Sequence, residues 1–392
     1  AADMTAQILD KDGNSVKAYG ALADAVAAAQ DGQTVTLLAD AAEDVVISKS
    51  ITLDLGGKTL TNTNAGKATI SVKSGTVTVK NGNVVGGNDY YNIEAKKDAN
   101  LTLTDVTATA GNTGSSMIDN YGTLTITSGT YNGGLDTVKN EPSAKLTITG
   151  GTFTLTKGTS KGFTGVVFNY GELTISGGEF IQSDKSAPYG QAQVIHTDKS
   201  GSAAPSTVIT GGTFKNLCTK STAWTVRATN AAAGATKVSG GAFNKSISEA
   251  YCAEGFIPTK NSDGTYGVKE GQYVAKVGSK KYETLADAIR LAAKGGTVTL
   301  LADVEQNTQL TINKSITLDL NGKTIKNTVD IWGDTANAIL SITNGAKVTI
   351  TGNGTIDAKE NDCYTINVAK GDLTIENGTF YGNVSVVQVE EG

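Results

Sequence analysis

Four side chains able to do acid–base or charge chemistry recur at one position of a repeated short strand: Asp119, Lys139, His196 and Arg227. Each follows an Ile or Val, and Phe168 holds the same position in another copy. If the copies stack in register, an acid, a base and a guanidinium group would bind and cleave an acidic sugar. The simpler interpretation is a solvated face of mixed charge, and no Ser or Cys at a suitable spacing partners His196. These residues are therefore weak catalytic candidates.

Three aromatic residues lie in segments rich in Asn, Asp and Gly: Tyr90, Tyr91 and Trp332. Exposed rings in such loops can stack on sugar rings, so these residues are the candidate ligand contacts. The alternative is that each ring folds over its own loop and covers the core. Trp224 has the same strand parity as Val226 and is predicted to lie in the core.

The sequence predicts neither a metal site nor a cofactor. It has one His and three Cys, and no Cys lies in a Cys-x-x-Cys pair. Whether Cys218 and Cys252 form a disulfide is left open. Asp357, Glu360 and Asp362 could ligate Ca²⁺, but they lack the spacing of known calcium loops, which favours a solvated loop.

Composition excludes several classes of function. The net charge is −5 and the Lys and Arg residues form no basic stripe, so nucleic-acid binding is not expected. No apolar run approaches the ~20 residues that span a bilayer. With 39% hydrophobic residues, 47 Gly and only 4 Pro, the chain suits short strands and tight turns. We expect an extracellular monomer whose signal peptide has been removed.

One phrase with small variations runs through the chain, as in Leu146-Thr-Ile-Thr-Gly-Gly-Thr-Phe153. Its first Leu recurs at 101, 124, 146 and 173, in steps of 23, 22 and 27 residues, which is the size of one β-helix coil. Alternation places Leu and Ile inside and Thr outside, with Gly-Gly at a corner. The aromatic residue that follows is predicted to point inward: Tyr131, Phe153, Phe180, Phe214, Phe243 and Phe380.

A second strand precedes each copy, and its inward positions include Asn120, Asn140 and Asn169. Buried Asn side chains at one corner can satisfy each other as a hydrogen-bonded ladder. With the aromatic strand, this gives three strands per coil. The predicted fold is all-β: a right-handed parallel β-helix, a three-sided solenoid of about a dozen coils spaced ~4.8 Å apart.

A longer repeat divides the chain into two modules, because Leu22-Ala-Asp-Ala25 returns as Leu285-Ala-Asp-Ala288. The first module is expected over 1–270, with a capping helix near 19–29 and a closing hairpin near 255–268. The second covers 271–392, with a capping helix near 282–293, and is expected to be truncated. Such caps cover the open ends of solenoids.

The Ser315-Ile-Thr-Leu-Asp-Leu-Asn-Gly-Lys-Thr-Ile325 run, the Gly-Gly-Thr-Phe coils and the closing Asn261-Ser-Asp-Gly-Thr-Tyr266 segment resemble pectate-lyase-like β-helix repeats. They are similar to repeats of large adhesin-like surface proteins from anaerobic Gram-positive bacteria. The catalytic motifs of pectate lyases and polygalacturonases, such as Gly-His-Gly and Arg-Ile-Lys, are absent. The resemblance implies a secreted or cell-wall-attached adhesin or ligand-display stalk that binds glycan, mucin or a host surface protein.

Two other functions remain open. One is a polysaccharide lyase or glycoside hydrolase built on the Asp119 column. The other is ice binding, because Thr-x-Thr pairs such as Thr102/Thr104 and Thr125/Thr127 recur on successive coils. The Thr pattern breaks at Lys80 and Lys237, which argues against a regular flat lattice.

Overall fold

The computed structural model describes residues 3–87, 89–158, 162–188, 193–230, 232–358, 363–383 and 385–392. The chain is a parallel β-solenoid of about 13 turns, which confirms the predicted fold. It divides into two compact units, Ala1–Glu270 and Gly271–Gly392. No helix among the described residues is long and apolar enough to cross a membrane.

Each coil of the first unit has three strands, which we call faces 1, 2 and 3 in chain order. Two long strands, Ile70–Val85 and Ile93–Thr109, run through all three faces. The other strands of face 1 are Val45–Ile47, Ile118–Asn120, Val138–Asn140, Gly165–Asn169, Gln193–Thr197 and Val226–Ala228. Those of face 2 are Thr34–Leu37, Thr52–Asp54, Thr123–Ile126, Lys145–Ile148, Glu172–Ile175, Ser206–Ile209 and Thr236–Val238. Those of face 3 are Ala41–Ala42, Thr59–Thr61, Gly129–Asn132, Thr152–Leu155, Glu179–Gln182, Thr213–Asn216 and Ala242–Phe243.

Both ends of the first unit are covered by elements outside the coils. An antiparallel hairpin of Ala6–Leu9 and Ser15–Tyr19 pairs with the first strand of face 2. Helix α1, Leu22–Ala28, buries Leu22, Ala25 and Val26. At the far end, 3₁₀ turns at Ala233–Ala235 and Glu249–Tyr251 precede a closing hairpin of Phe256–Lys260 and Tyr266–Glu270.

The second unit repeats this plan. A hairpin of Ala275–Val277 and Lys280–Tyr282 precedes helix α2, Leu285–Leu291, whose N-terminus is capped by the Thr284 hydroxyl. Its face 2 strands are Thr297–Leu300, Ile316–Asp319, Ala346–Thr351 and Gly371–Ile375. Its face 3 strands are Val304–Glu305, Thr324–Lys326, Thr355–Asp357 and Thr379–Tyr381. Its face 1 strands are Leu310–Ile312, Ala338–Ile342, Tyr364–Val368 and Val387–Val389.

The core of the first unit is built from in-register columns of identical or similar side chains. Leu101, Leu124, Leu146 and Leu173 stack in one such column. The face 3 aromatic residues point into the core, as predicted, and their rings stack with centroids 4.7–5.0 Å apart: Tyr131, Phe153, Phe180, Phe214 and Phe243. Because each column spans many coils, each coil is held mainly by its two neighbours.

The predicted asparagine ladder is also present at the end of face 1. The Asn120 side-chain amide donates to Asn140 Oδ1 at 2.8 Å, and Asn140 donates to Asn169 Oδ1 at 2.8 Å. All three side chains are fully buried. The ladder replaces the hydrogen bonds to water that burial removes.

The corners of the coil differ in length. Corners between faces 1 and 2 and between faces 2 and 3 mostly take two to four residues, as at 121–122 and 149–151. At the second of these corners the backbone turns through a glycine with positive φ, as at Gly178 (φ 104°). The connection from face 3 to face 1, called here the long corner, reaches nine residues at 217–225 and eleven at 327–337. Side chains that leave the regular ladders therefore concentrate at the long corner.

Candidate functional site

The outward positions of face 1 form one in-register column, from Val46 through Ser71, Glu94, Asp119, Lys139, Phe168 and His196 to Arg227. The five residues singled out in the sequence therefore do lie on neighbouring coils. Ser71 and Glu94 extend the column and were missed. Their strands show the same alternation, Ile70-Ser71-Val72 and Ile93-Glu94-Ala95, which would have identified them.

Much of this column is covered, so the expectation of a solvated face is wrong. Asp119 and His196 are fully buried and Phe168 is 3% exposed. The reason is that side chains of the long corners fold back over face 1. The Phe163 ring, for example, lies 5.3 Å from the His196 ring and 4.8 Å from the Arg227 guanidinium carbon.

Asp119 is the most perturbed carboxyl in the column. Burial raises its pKa to about 7, and the nearby negative charge of Glu141 adds to this effect. Glu141 is paired with Lys139, whose Nζ lies 2.7 Å from its Oε1. Neither oxygen of Asp119 has a partner within hydrogen-bonding distance, although the neighbouring Tyr91 hydroxyl lowers its pKa in part. A buried carboxyl with a pKa raised to about 7 therefore lies beside a carboxylate that is paired with a lysine.

A second buried carboxyl, Asp136, lies at the long corner beneath this column. It accepts hydrogen bonds from the Gly165 backbone N–H at 3.0 Å and from the Ser116 hydroxyl at 3.2 Å. Burial raises its pKa to about 7, against the effect of these donors. Because both oxygens are used to tie two loops together, Asp136 has a structural role.

His196 is held neutral in this environment. Burial lowers its pKa to about 4, an effect that outweighs the opposing charge of Asp198. Its Nε2 lies 2.9 Å from the Thr229 hydroxyl oxygen. A fully buried, neutral imidazole that is hydrogen-bonded and packs against Phe163 and Phe168 supports the fold.

The column opens to solvent at its N-terminal end, in a groove of about 560 Å³ that we call the Tyr90 groove. Val46, Ser71 and Glu94 form its floor, and Tyr90 stands at one side. Charged and amide groups from neighbouring loops complete the lining: Glu43, Asp44, Asn64, Lys67 and Lys73. Most small-molecule sites are lined mainly by apolar side chains, so this groove, with one aromatic ring among polar and charged groups, is polar for such a site.

One carboxylate oxygen of Glu94 has hydrogen-bond partners and the other has none. Its Oε1 accepts from the Ser71 hydroxyl at 2.9 Å and pairs with Lys96 Nζ at 2.9 Å. Its Oε2 is buried and has no hydrogen-bond partner within range. Glu43 and Asp44 are already used, because Glu43 accepts from the first two backbone N–H groups of α1 and Asp44 accepts from Thr63. Glu94 Oε2 is thus an unpartnered acceptor that lies below the groove surface beside Tyr90, and a ligand would reach it only if Tyr90 shifted.

Tyr90 and Tyr91 connect the groove with the covered part of the column. Their rings pack at 4.5 Å between centroids with a tilt of 49°. Burial raises the pKa of both phenols, and the charge of Glu94 acts on Tyr90 while that of Asp119 acts on Tyr91. Tyr90 therefore faces the open groove and Tyr91 covers the buried carboxyl.

The other aromatic candidates lie apart from this groove. Trp332, in the second unit, is 46% exposed and packs edge-on against Tyr364 at 5.4 Å. The prediction that Trp224 lies in the core is wrong, because its side chain is 43% exposed. Trp224 belongs to the long corner at 217–225, before the strand that starts at Val226, so strand parity does not apply to it.

Neither thiol nor metal chemistry gains support from the geometry. Cys218 and Cys252 are buried and are not joined by a disulfide, and Cys363 is buried as well. Among the described residues, no three His, Cys, Asp or Glu side chains are grouped to hold a metal ion. Glu360 and Asp362 of the acidic segment lie outside the described residues.

The outward threonines of face 2 form a longer column than the sequence pattern suggested. Seven consecutive members are in register: Thr34, Thr52, Thr78, Thr102, Thr125, Thr147 and Thr174. Val208 and Lys237 then end the column. The outward positions two residues further along each strand form a second column. This column includes Asp54 and Lys80, whose charged groups pair at 3.7 Å, so only part of face 2 has two threonine columns.

No family model, no curated protein and no solved structure matches this chain. The site must therefore be interpreted from its own geometry.

Proposed function

We propose that this protein is an extracellular, non-catalytic glycan-binding protein that displays its binding sites on a rigid β-helix. The observation that carries the proposal is the Tyr90 groove. It joins an aromatic ring, an unpartnered carboxylate oxygen of Glu94 and amide and ammonium groups within about 560 Å³. A sugar would place the C–H face of its ring on Tyr90 and form hydrogen bonds with the exposed Asn64, Lys67 and Lys73 side chains, and a shift of Tyr90 would open Glu94 Oε2 to one of its hydroxyls.

The solenoid suits such a role because the floor of the site is built on ladder strands whose positions are fixed by neighbouring coils. Glu94 and Ser71 are in register on adjacent coils, and their hydrogen bond fixes both side chains. A site held in its binding geometry loses little conformational entropy when it binds a ligand. The resemblance to adhesin-like surface proteins of Gram-positive bacteria supports attachment to a cell wall and binding to mucin or another host surface component.

The test is binding of the purified chain to a broad glycan and mucin array and to epithelial cells, followed by calorimetry with the best neutral oligosaccharide. Tyr90→Ala should weaken binding about tenfold, the effect of ~1.4 kcal/mol lost from an aromatic contact. Tyr121→Ala is the matched control, since Tyr121 is an exposed tyrosine on the next coil that does not line the groove. A chain that binds nothing on any of these surfaces would be a passive stalk.

Catalytic cleavage of a glycan is a second candidate, favoured by one observation. Asp119, with its pKa raised to about 7, lies beside Glu141, which forms an ion pair with Lys139. Glycosidases use two carboxyl groups, one as acid and one as base or nucleophile. The full burial of Asp119 ranks this function second, because a sugar would reach it only after the Tyr91 loop moves.

Cleavage assays on neutral and uronic-acid polysaccharides separate the two functions. If the protein is an enzyme, Asp119→Asn should abolish cleavage. Full activity in the His196→Ala/Arg227→Ala double variant would exclude the rest of the column from catalysis.

A further inference from the structure

A second open pocket lies at the other end of the first unit, with a volume of about 370 Å³. Its main side chains are Trp224, Tyr266, Lys220, Lys245 and Asn244. We call it the Trp224 pocket. At this volume, near the lower end of the range for ligand sites, it has room for about one sugar ring.

The backbone of Trp224 is held by hydrogen bonds, and its ring points outward. Its N–H donates to Gln193 Oε1 at 3.2 Å, and its carbonyl accepts from Asn216 Nδ2 at 2.8 Å. Gln193 and Asn216 are themselves buried, so these bonds fix the segment firmly. The indole remains 43% exposed in a segment that is otherwise well packed, with Ala223 and Thr225 on either side buried. Because the backbone that carries the indole is fixed, the exposed ring provides apolar area at a reduced ordering cost on binding.

The pocket also holds two fixed positive charges. Lys245 Nζ donates to the carbonyls of Cys218 at 2.7 Å and Ala223 at 2.8 Å. Lys220 Nζ donates to the carbonyl of Ala187 at 2.7 Å. An ammonium group has three hydrogens, so Lys245 keeps one donor beyond its two short bonds. Partial burial lowers the pKa of Lys245. A bound anion would raise this pKa again, because a nearby negative charge favours the protonated amine.

Among the described residues, no carboxylate lines the Trp224 pocket, so the charge of its lining is positive. An anion would gain charge-assisted hydrogen bonds from both lysines. A neutral sugar would gain only the indole contact. The combination of one aromatic platform and two positioned ammonium groups selects a ligand with both an apolar ring face and a negative charge.

We propose that the Trp224 pocket is a binding site for a terminal acidic sugar, whose ring packs on the Trp224 indole and whose anionic group is bound by Lys220 and Lys245. A carboxylated sugar and a sulfated sugar share this chemistry. The proposal is independent of the Tyr90 groove, because no residue lines both.

The first experiment uses tryptophan fluorescence. The chain has two tryptophans, so Trp332→Phe leaves Trp224 as the only reporter. We expect 3′-sialyllactose or 3′-sulfolactose to change the emission in a saturable way, and lactose to leave it unchanged. The two anionic ligands distinguish carboxylate from sulfate as the preferred group. Absence of any response to both would overturn the proposal, as would an equal response to lactose.

The second experiment measures the same ligands by calorimetry with four variants. Trp224→Ala should weaken binding at least about tenfold, whereas Trp332→Ala, a change to the other exposed indole, should leave it unchanged. Lys220→Gln retains a donor for the Ala187 carbonyl but removes the charge, so it should weaken anion binding at an unchanged melting temperature. Lys220→Arg should bind like the wild type. Equal affinity of Lys220→Gln and wild type would show that charge at Lys220 does not select the ligand.

Discussion

The Tyr90 groove and the Trp224 pocket lie at opposite ends of one solenoid unit and share a plan. Each presents one aromatic ring from a long corner, at 86–92 and 217–225 respectively. Their charges differ, because the groove contains Glu43, Asp44 and Glu94 beside two lysines and the pocket contains two lysines and no carboxylate. The comparison teaches that the ladders fix where a site lies and that the side chains at its edge decide what it binds.

The two sites also differ in what lies beneath them. Next to the Tyr90 groove, Asp119 is buried under Tyr91 with a raised pKa. At the Trp224 pocket the buried side chains are uncharged. Gln193 accepts a hydrogen bond from the Trp224 N–H, and Asn216 donates one to the Trp224 carbonyl. The groove is therefore the site whose surroundings should respond to pH.

The largest expected effect concerns the frame that both sites share. Phe180 lies in the middle of the stacked aromatic column, so Phe180→Ala should lower the free energy of unfolding by ~3–5 kcal/mol. Urea unfolding measures this value. Phe163→Ala, which removes the same side chain from a 42% exposed position, should cost about 1 kcal/mol. Similar losses for both variants would show that the stack does not dominate stability.

The effect of intermediate size is the pH dependence of stability that Asp119 causes beside the Tyr90 groove. Folded Asp119 keeps its proton up to a pKa of about 7, whereas the unfolded chain loses it near 3.8. Its contribution to stability is therefore fully present below that lower value and lost as the pH rises to about 7. Asp119→Asn cannot ionise, so its stability relative to wild type should rise by about 1 to 4 kcal/mol between pH 4 and pH 7.5.

Urea unfolding of both proteins at the two pH values measures this change. The buried His196, whose lowered pKa gives a slope of opposite sign, is present in both proteins and cancels in the difference. A difference that is the same at both pH values would contradict the assignment of a raised pKa to Asp119.

The smallest effect is the response of binding to salt. Raising NaCl from about 0.05 M to about 0.5 M shortens the screening length severalfold. Binding of an acidic sugar at the Trp224 pocket should weaken roughly three- to tenfold, since it depends on partly exposed lysines. Binding of a neutral oligosaccharide at the Tyr90 groove should change less than about twofold. Calorimetry on both variants, Tyr90→Ala and Trp224→Ala, assigns each response to its site; equal salt dependence would remove the proposed contrast.

The sequence predicts the ladders well because each depends on alternation within a single strand. Leu146 and Ile148, Phe153 and Asn140 all point inward, as the period of two requires. The covering of the Asp119 column could not be predicted in this way. It depends on how Phe163 and Tyr91 fold back from corners of irregular length, and no periodicity describes those segments.

Trp224 shows the same limit at one residue. Its distance from Val226 gives the parity of an inward position, yet the strand begins only at Val226. Its backbone is instead held by two hydrogen bonds, from its N–H to Gln193 and from Asn216 to its carbonyl, with partners 31 and 8 residues away along the chain. Local patterns carry no information about such bonds.

The uneven corners of the coil have a consequence for how this molecule changes over evolutionary time. Insertions at the long corner, which ranges up to eleven residues, leave the ladder hydrogen bonds of neighbouring coils intact. The short glycine corner has no such room, because even an added Cβ at Gly177 would collide with the backbone carbonyl of Thr149. Mutation at the long corner can thus change the surface of one coil without disturbing its neighbours, which makes this corner the place where foreign loops can be grafted.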